Sequence, residues 1–110
     1  MVTTIKNIST IDRTRYSRRI YFGDVTYNPG GNCGPRVQPD YQLVIIHQGS
    51  ASFLIDNFEY VVPAGHHTLL IPGHYETIQF STTSYTRHTW TSIHPSLVSE
   101  ELANQIATLP

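Results

Sequence analysis

The sequence predicts an all-β domain that closes into a small barrel or sandwich. Short apolar stretches rich in β-branched residues alternate with turn clusters of Gly, Pro and Asn, at the spacing typical of such folds. Aromatic residues make up 11% of the chain, which favours strands over a helical bundle. The 110 residues allow one domain, and a hydrophobic fraction of 39% is enough for a modest core.

Seven strands are predicted, each ended by residues that favour turns. They span residues 20–27, 41–48, 51–55, 58–62, 67–71, 75–80 and 88–93. Gly49 separates the second and third of these strands, which predicts a hairpin. The segment 28–32, Asn-Pro-Gly-Gly-Asn, is predicted to be a turn because proline fixes φ and glycine accepts a positive φ.

The strand at 41–48 has two largely apolar faces, because alternate side chains point to opposite sides of a strand. One face carries Gln42, Val44, Ile46 and Gln48, and the other carries Tyr41, Leu43, Ile45 and His47. We therefore expect a barrel interior on one side and cover from another sheet, the N-terminal arm or the C-terminal helix on the other. Glutamines inside a barrel must be hydrogen-bonded internally or by a ligand.

Residues near the C-terminus change to a helical period. Ser99 is placed to cap a helix whose first turn holds two glutamates. One apolar stripe follows at spacings of i, i+4 and i+7, formed by Leu102, Ile106 and Leu109. Because so short a helix is unstable alone, the stripe is expected to pack on its own sheet or on a second copy of the chain.

The charge pattern divides the chain into three segments. Residues 1–20, a predicted polar arm, hold five basic residues and one acid, for a charge of +4, whereas residues 21–110 hold two basic residues and seven acids, for −5. The arm and the body are therefore expected to attract each other. Residues 21–96 are predicted to form the barrel, and 97–110 to form the helix that begins a linker.

Composition excludes several classes of protein. A net charge of −1 provides no field that would draw the chain onto nucleic acid or an anionic membrane. The longest apolar run, residues 43–46, is far too short to span a bilayer, and residues 1–6 have no signal-peptide layout. The lone cysteine, Cys33, cannot form an internal disulfide. We expect a cytoplasmic protein without membrane contact.

A polar and aromatic set at strand positions could carry the function: Arg36, Gln42, Gln48, His74, Glu76, His88 and Trp90. His88 and Trp90 are two residues apart and therefore share one face of a strand. An indole beside an imidazole suits a sugar or another polyol, which stacks its C–H face and pairs its hydroxyls. The alternative is that Trp90 belongs to the core and His88 binds a backbone carbonyl.

Several segments together resemble the effector-binding domain at the N-terminus of AraC-type transcription regulators. They are residues 34–49 (GPRVQPDYQLVIIHQG), 55–56 (ID), 63–66 (PAGH), 68–76 (TLLIPGHYE), 80 (F) and 88–90 (HTW). The resemblance covers about residues 21–95. It implies a cupin, which is a small double-stranded β-helix barrel and agrees with the predicted strands.

The resemblance also implies a division of roles. In this family the barrel binds a small effector, a following helix often mediates dimerisation, and a separate C-terminal domain with two helix-turn-helix motifs binds the promoter. That domain is absent from this chain, so DNA is expected to be contacted only through it. In sugar-responsive members a His-x-Trp pair, matched by His88 and Trp90, belongs to the pocket. Where such members can carry an arginine that contacts the effector, this chain has Gln48.

Metal binding is not expected. The six histidines lack a closely matched ligand spacing. Metal-binding cupins use three His and one Glu, and the corresponding positions here are Pro35, Val37, Gln42 and Glu76. Proline and valine have no donor side chain, so the pocket is predicted to hold no metal or other cofactor, with Gln42 and Glu76 left to bind a ligand.

The leading interpretation is therefore a non-enzymatic sensor of a small polar molecule, sugar-like in character, that forms a homodimer. Two alternatives remain open. The first is a metal-dependent cupin oxygenase or isomerase that uses some of His47, His66, His67, His74 and His88. The second is a ligand-free dimerisation module that uses the helix together with Leu43 and Ile45.

Overall fold

The chain folds into two β-sheets that face each other. The computed structural model describes residues 5–6, 14–17 and 20–108, which contain ten strands, one 3-10 turn at Pro95–Leu97 and one helix, α1, at Glu100–Ala107. The strands are β1 (Ile5–Lys6), β2 (Thr14–Ser17), β3 (Ile20–Tyr27), β4 (Asn32–Val37), β5 (Tyr41–Gln48), β6 (Ser50–Ile55), β7 (Phe58–Pro63), β8 (His67–Leu70), β9 (Tyr75–Phe80) and β10 (Thr86–Ile93). The predicted all-β class with a short C-terminal helix is confirmed.

The larger sheet has the order β1-β3-β10-β5-β8, with β2 also paired to β3, and the smaller has the order β4-β9-β6-β7. All pairs are antiparallel except β1 with β3. Strand β10 lies between β3 and β5 and alternates strictly, with its even-numbered residues buried. These face the buried side chains of β6 and β9, so the core lies between the sheets and includes Val44, Ile46, Phe53, Ile78 and Phe80.

The seven predicted strands all form, and their ends move by two residues at most. The hairpin predicted at Gly49 is wrong: this residue makes a tight bend with a φ of +80°, but β5 and β6 pass into different sheets and do not pair with each other. An added Cβ there would lie 2.5 Å from the carbonyl oxygen of Tyr85 and from the hydroxyl of Thr86. Position 49 therefore needs glycine both for its backbone conformation and for its space.

Strand β4 was not predicted from the sequence. It contains Gly34 and Pro35, which normally interrupt strands, and its ladder with β9 shifts register between Cys33 and Arg36. The strand tolerates both residues because it lies at the edge of the smaller sheet and bulges there. As a result, Arg36 comes opposite Glu76.

The expectation that the outer face of β5 is covered is wrong for the part of the chain that the structure describes. Leu43 and Ile45 on that face are 37% and 36% exposed. The described arm segments, β1 and β2, pair with β3 and so extend the sheet sideways instead of covering it. Most of the predicted arm lies outside the described residues, and its attraction to the body stays a prediction.

Helix α1 begins where the sequence predicts. The Ser99 side chain accepts a hydrogen bond of 3.1 Å from the backbone N–H of Leu102. No described residue of the helix is fully buried; Leu102 is 46% exposed whereas Ile106 is partly buried, so the described residues of this chain cover the apolar stripe only in part. The third stripe residue, Leu109, lies outside them. No helix in the described ranges has the length and apolarity needed to cross a membrane.

Two glycine substitutions test the crowding at the bend between β5 and β6. Gly49 and Gly65 both have positive φ, +80° and +84°, but nothing lies within 4 Å of a Cβ added at Gly65. We expect Gly65→Ala to lower the free energy of unfolding by about 1 kcal/mol through backbone strain alone. Gly49→Ala adds a clash with backbone and should cost at least about 3 kcal/mol. Urea unfolding measures both, and equal costs would contradict this account.

Candidate functional site

A cavity of about 270 Å³ lies between the two sheets, and we call it the inter-sheet cavity. Its aromatic and apolar walls come from Tyr21, Val25, Tyr27, Pro39, Val44, Phe53, Ile78, Phe80 and Trp90. Its polar and ionisable side chains come from Cys33, Arg36, Gln38, Asp40, Gln42, His88 and Ser92. A cavity of this size and mixed character suits a small molecule.

One wall of the cavity is a set of parallel rings. The centroids of Tyr27 and Phe80 are 3.9 Å apart, and the imidazole of His88 lies 5.8 Å from the first and 5.5 Å from the second, all within 16° of parallel. Such contacts fix the rotamer of each ring, because a buried ring held between neighbours cannot turn without a clash. The imidazole is therefore held in one orientation on the cavity wall.

Trp90 lies across from Gly23, its partner in the β3–β10 ladder. A Cβ added to Gly23 would come within 2.8 Å of three indole atoms, so the indole lies directly against the backbone of β3. Glycine at this position makes room for the ring, which is 6% exposed and lines the inter-sheet cavity. A large aromatic surface is thereby presented to any molecule inside.

His88 is buried and uncharged. Its side chain is 8% exposed, and its Nδ1 has no hydrogen-bond partner among the described residues. Burial lowers the pKa of His88 to about 4; the charges of His47 and Arg36 also lower this pKa, whereas Asp24 raises it. A buried polar nitrogen without a partner costs roughly 1–3 kcal/mol, so a ligand hydroxyl at this imidazole would recover that energy.

Another part of the cavity wall is a hydrogen-bonded polar network. The Arg36 Nε donates to the Glu76 carboxylate at 2.8 Å, and the Gln38 amide donates to the same oxygen at 2.9 Å. Arg36 also donates to the Gln42 carbonyl oxygen at 3.2 Å, and the Gln42 amide donates to the Ser92 hydroxyl at 3.0 Å. The network pairs one cation with one anion, and it orients Gln42 on the cavity wall.

Four of the seven predicted site residues line the inter-sheet cavity: Arg36, Gln42, His88 and Trp90. Glu76 does not, although it was expected to be left for a ligand. Its side chain is 1% exposed behind the wall, and its carboxylate already accepts from Arg36 and Gln38. A buried carboxylate needs such partners, which is why it contributes to the network and not to the cavity surface.

Gln48 also lies away from the cavity, because β5 and β10 shift register near their ends. His88 is paired with Ile46, whereas Arg87 is paired with Gln48, so His47 is an extra residue in β5. Such a bulge moves the next side chain to the other face. Gln48 is therefore exposed and shares the face of Arg87.

His74 lies outside the cavity as well. It is in the turn before β9, and its Nδ1 forms a hydrogen bond with the carboxylate of Asp56 on the surface. Its side chain is 47% exposed. Although His74 and Glu76 are two residues apart, the first precedes the strand and so does not follow its alternation.

Gln38 is the residue that the sequence analysis missed. It is 2% exposed, lines the cavity, and joins Glu76 to Gln42 through its amide. Cys33, which we regarded as incidental, also lines the cavity. Both lie on β4 or just beyond its end, so the failure to predict that strand hid them. The residues that follow Gly34 are Pro, Arg, Val and Gln, and this mixed run gives no signal that the glutamine is buried.

The histidines do not come together. In the described part of the chain no three His, Cys, Asp or Glu side chains are placed to share a metal ion. His88 is in the inter-sheet cavity, whereas His47 forms a hydrogen bond with Thr89 on the surface and His66 forms one with a backbone carbonyl in a turn. The donors that do meet in the cavity wall, an amide and a hydroxyl beside a guanidinium, suit a polar organic ligand better than a metal.

Two facing sheets that enclose a polar and aromatic cavity define the class of β-barrel domains that bind small molecules inside. The model of the AraC-like ligand binding domain family matches residues 25–110, and the chain belongs to this family. Comparison with curated proteins finds no match.

Solved structures show the same fold. A conserved protein of unknown function from Streptococcus pyogenes has a TM-score of 0.72 at 16% identity, covering 84% of this chain and 81% of that protein. An RmlC-like cupin with a double-stranded β-helix fold from Methanocaldococcus jannaschii has a TM-score of 0.70 at 8% identity, covering 93% and 88%. Oxalate oxidase in complex with glycolate has a TM-score of 0.59 at 18% identity, covering 68% and 42%. The predicted cupin fold is confirmed.

The lowered pKa of His88 makes stability depend on pH. Between about pH 6.5 and about pH 4 the unfolded chain binds a proton at this site that the folded chain does not, so stability falls as pH falls through that window. The loss should be on the order of 3 kcal/mol. Urea unfolding across this range is expected to show it. In His88→Phe, which keeps a ring in the stack, most of this dependence should disappear; an unchanged dependence would place the proton elsewhere.

Gly23→Ala tests the fit of the indole. The added methyl group displaces the ring of Trp90, so the emission of this sole tryptophan should shift to longer wavelength and the free energy of unfolding should fall by about 1–3 kcal/mol. The same substitution in a Trp90→Leu background should cost at least about 1 kcal/mol less. Equal costs in the two backgrounds would show that the indole is not what occupies this space.

Proposed function

We propose that this chain is the effector-sensing domain of an AraC-type transcription regulator, and that the inter-sheet cavity binds a small uncharged polyol such as a sugar. The observation that carries the proposal is the imidazole of His88, which is buried on the cavity wall with one ring nitrogen unpartnered among the described residues. A hydroxyl group donates and accepts, so it satisfies an imidazole in either tautomer.

The charges around the cavity favour a neutral ligand. Arg36 is the cationic residue among those that line it, and its guanidinium is already bound to Glu76. Asp40 adds a negative charge, and His88 is neutral above about pH 4. Among the described lining residues an anionic ligand would therefore find no uncompensated positive charge, whereas hydroxyl groups can pair with Gln42, Ser92 and the guanidinium edge.

Trp90 supplies the second feature of a polyol site. The C–H face of a sugar ring is apolar and stacks on an indole, while the hydroxyls at its edge form hydrogen bonds. In this cavity the indole and the imidazole lie two residues apart on β10, and the polar network lies on the neighbouring wall. The cavity thus offers one stacking surface and hydrogen-bonding groups on more than one side.

The proposed role is sensing, without chemical conversion of the ligand. Ligand binding in the cavity must then favour one conformation of the protein over another. Only parts of the protein whose contacts with the ligand differ between the two conformations can transmit the binding signal. The N-terminal arm beside β3 and the exposed stripe of α1 are the parts we propose for this, the latter as a contact between two copies. Promoter binding is assigned to a separate domain of the regulator.

Titration with sugars tests the cavity. A panel of aldopentoses, aldohexoses and linear polyols should contain a member that raises the melting temperature and changes the fluorescence of Trp90. His88→Phe should weaken that binding at least about tenfold, which is about 1.4 kcal/mol, while leaving the melting temperature of the free protein unchanged or higher because an unpartnered nitrogen is removed.

His66→Phe is the matched control, since His66 is exposed and does not line the cavity. It should bind the same sugar as the unaltered chain. If no member of the panel binds, or if His88→Phe and His66→Phe bind it equally well, the proposed site is wrong. The opposite changes in stability and affinity expected of His88→Phe distinguish loss of a ligand contact from loss of the fold.

A further inference from the structure

A second pocket, of about 410 Å³, lies at the end of the β6–β7 hairpin, and we call it the hairpin pocket. Its floor is apolar and consists of Ile55, Leu69, Leu70 and Ile71. Of these, Leu69 is 37% exposed. The function proposed above makes no use of this pocket, which is lined by a different set of residues from the inter-sheet cavity.

Two aromatic rings form one side of the hairpin pocket. Phe58 and Tyr60, both on β7, have ring centroids 6.0 Å apart. Tyr60 is fixed, since its ring stacks on Phe53 and its hydroxyl forms a hydrogen bond of 2.7 Å with Thr68. Phe58 is 68% exposed, so much of its ring surface is open to a ligand. The face of such a ring carries negative potential and attracts cations.

The charged groups of the hairpin pocket are acidic. Asp56 and Glu76 line it together with His74, and no described lysine or arginine lines it; because the buried carboxylate of Glu76 is paired with Arg36, Asp56, 49% exposed, is the carboxylate that a ligand can reach. A hydrogen bond from His74, together with one from the backbone N–H of Tyr75, lowers the pKa of Asp56, which is therefore ionised at neutral pH.

We propose that the hairpin pocket binds a small apolar cation, an organic ammonium ion. Its hydrocarbon part would lie on Ile55 and Leu69, and its charged nitrogen would lie between the carboxylate of Asp56 and the ring of Phe58. The carboxylate of Asp56 repels an anion, and a neutral apolar molecule gains the apolar contacts without the ionic one. The proposal goes beyond the polyol site and does not depend on it.

Titration with 2-phenylethylammonium chloride, followed by backbone amide NMR shifts, tests this inference. We expect saturable shifts at Asp56, Phe58 and Leu69, with a dissociation constant on the order of 1 mM for so small a molecule. The neutral analogue 2-phenylethanol should bind at least about fivefold more weakly, and phenylacetate should not bind. Absence of saturable shifts, equal binding of the alcohol, or shifts confined to the inter-sheet cavity would each overturn the proposal.

Variants of the hairpin identify the contacts. Phe58→Ala should weaken binding of the ammonium ion at least about fivefold. Val61→Ala is the matched control, because Val61 is on the same strand, is 64% exposed and does not line the pocket. Asp56→Asn keeps an oxygen for the Tyr75 N–H and tolerates the φ of +47°, so it should fold and yet lose the preference for the ammonium ion over the alcohol. A retained preference, or a loss of binding in Val61→Ala, would contradict the assignment.

Discussion

The carboxylate of Glu76 is the group around which the polar side of the molecule is arranged. A charge with 1% of its side chain exposed is stable only when partners replace its water, and Arg36 and Gln38 do so. Both partners belong to the β4 segment, so the requirement for compensation ties the edge of the smaller sheet to its neighbour β9. The same bonds orient Gln42 on β5 and thereby link the two sheets at one end of the cavity.

The other side of the cavity obeys a different constraint. There alternate side chains of β10 point into the space between the sheets, and His88 stacks with Tyr27 and Phe80; its Nδ1 is buried and has no hydrogen-bond partner among the described residues. One part of the cavity wall thus contains the paired charges of Arg36 and Glu76. The aromatic part contains His88, whose Nδ1 is available for a hydrogen bond. This division is the basis for proposing a neutral polar ligand.

Much of the fold followed from local patterns. β-Branched runs ended by Gly, Pro or Asn located seven strands, and Ser99 located the start of the helix. Strand β4 escaped prediction because its pairing overrides the breaking tendency of Gly34 and Pro35, and such long-range pairing leaves no trace in local composition. The outer face of β5 was expected to be covered by another part of the chain. The described arm strands, β1 and β2, pair with β3 instead and so leave this face exposed.

Prediction of the site likewise depended on whether local pattern or long-range structure sets the position of each residue. Residues on a regular ladder, such as His88 and Trp90, were placed correctly by alternation, whereas Gln48 and His74 were misplaced by a bulge and a turn. Glu76 was assigned to the correct strand, but its carboxylate accepts hydrogen bonds from Arg36 and Gln38, which only the tertiary structure brings near it. Gln38 could not be found from pattern, since its burial depends on a neighbouring strand that was not itself foreseen.

Strand β4 has a hydrogen-bonded neighbour on one side only, and it is also the part of the wall that carries Cys33 and Arg36. Edge strands open locally at lower free energy than strands held on both sides. Local separation of β4 from β9 would expose the inter-sheet cavity while β10, between β3 and β5 in the larger sheet, stays in place. The same short segment, β4, would then both open the cavity and contribute Cys33 and Arg36 to the proposed ligand site.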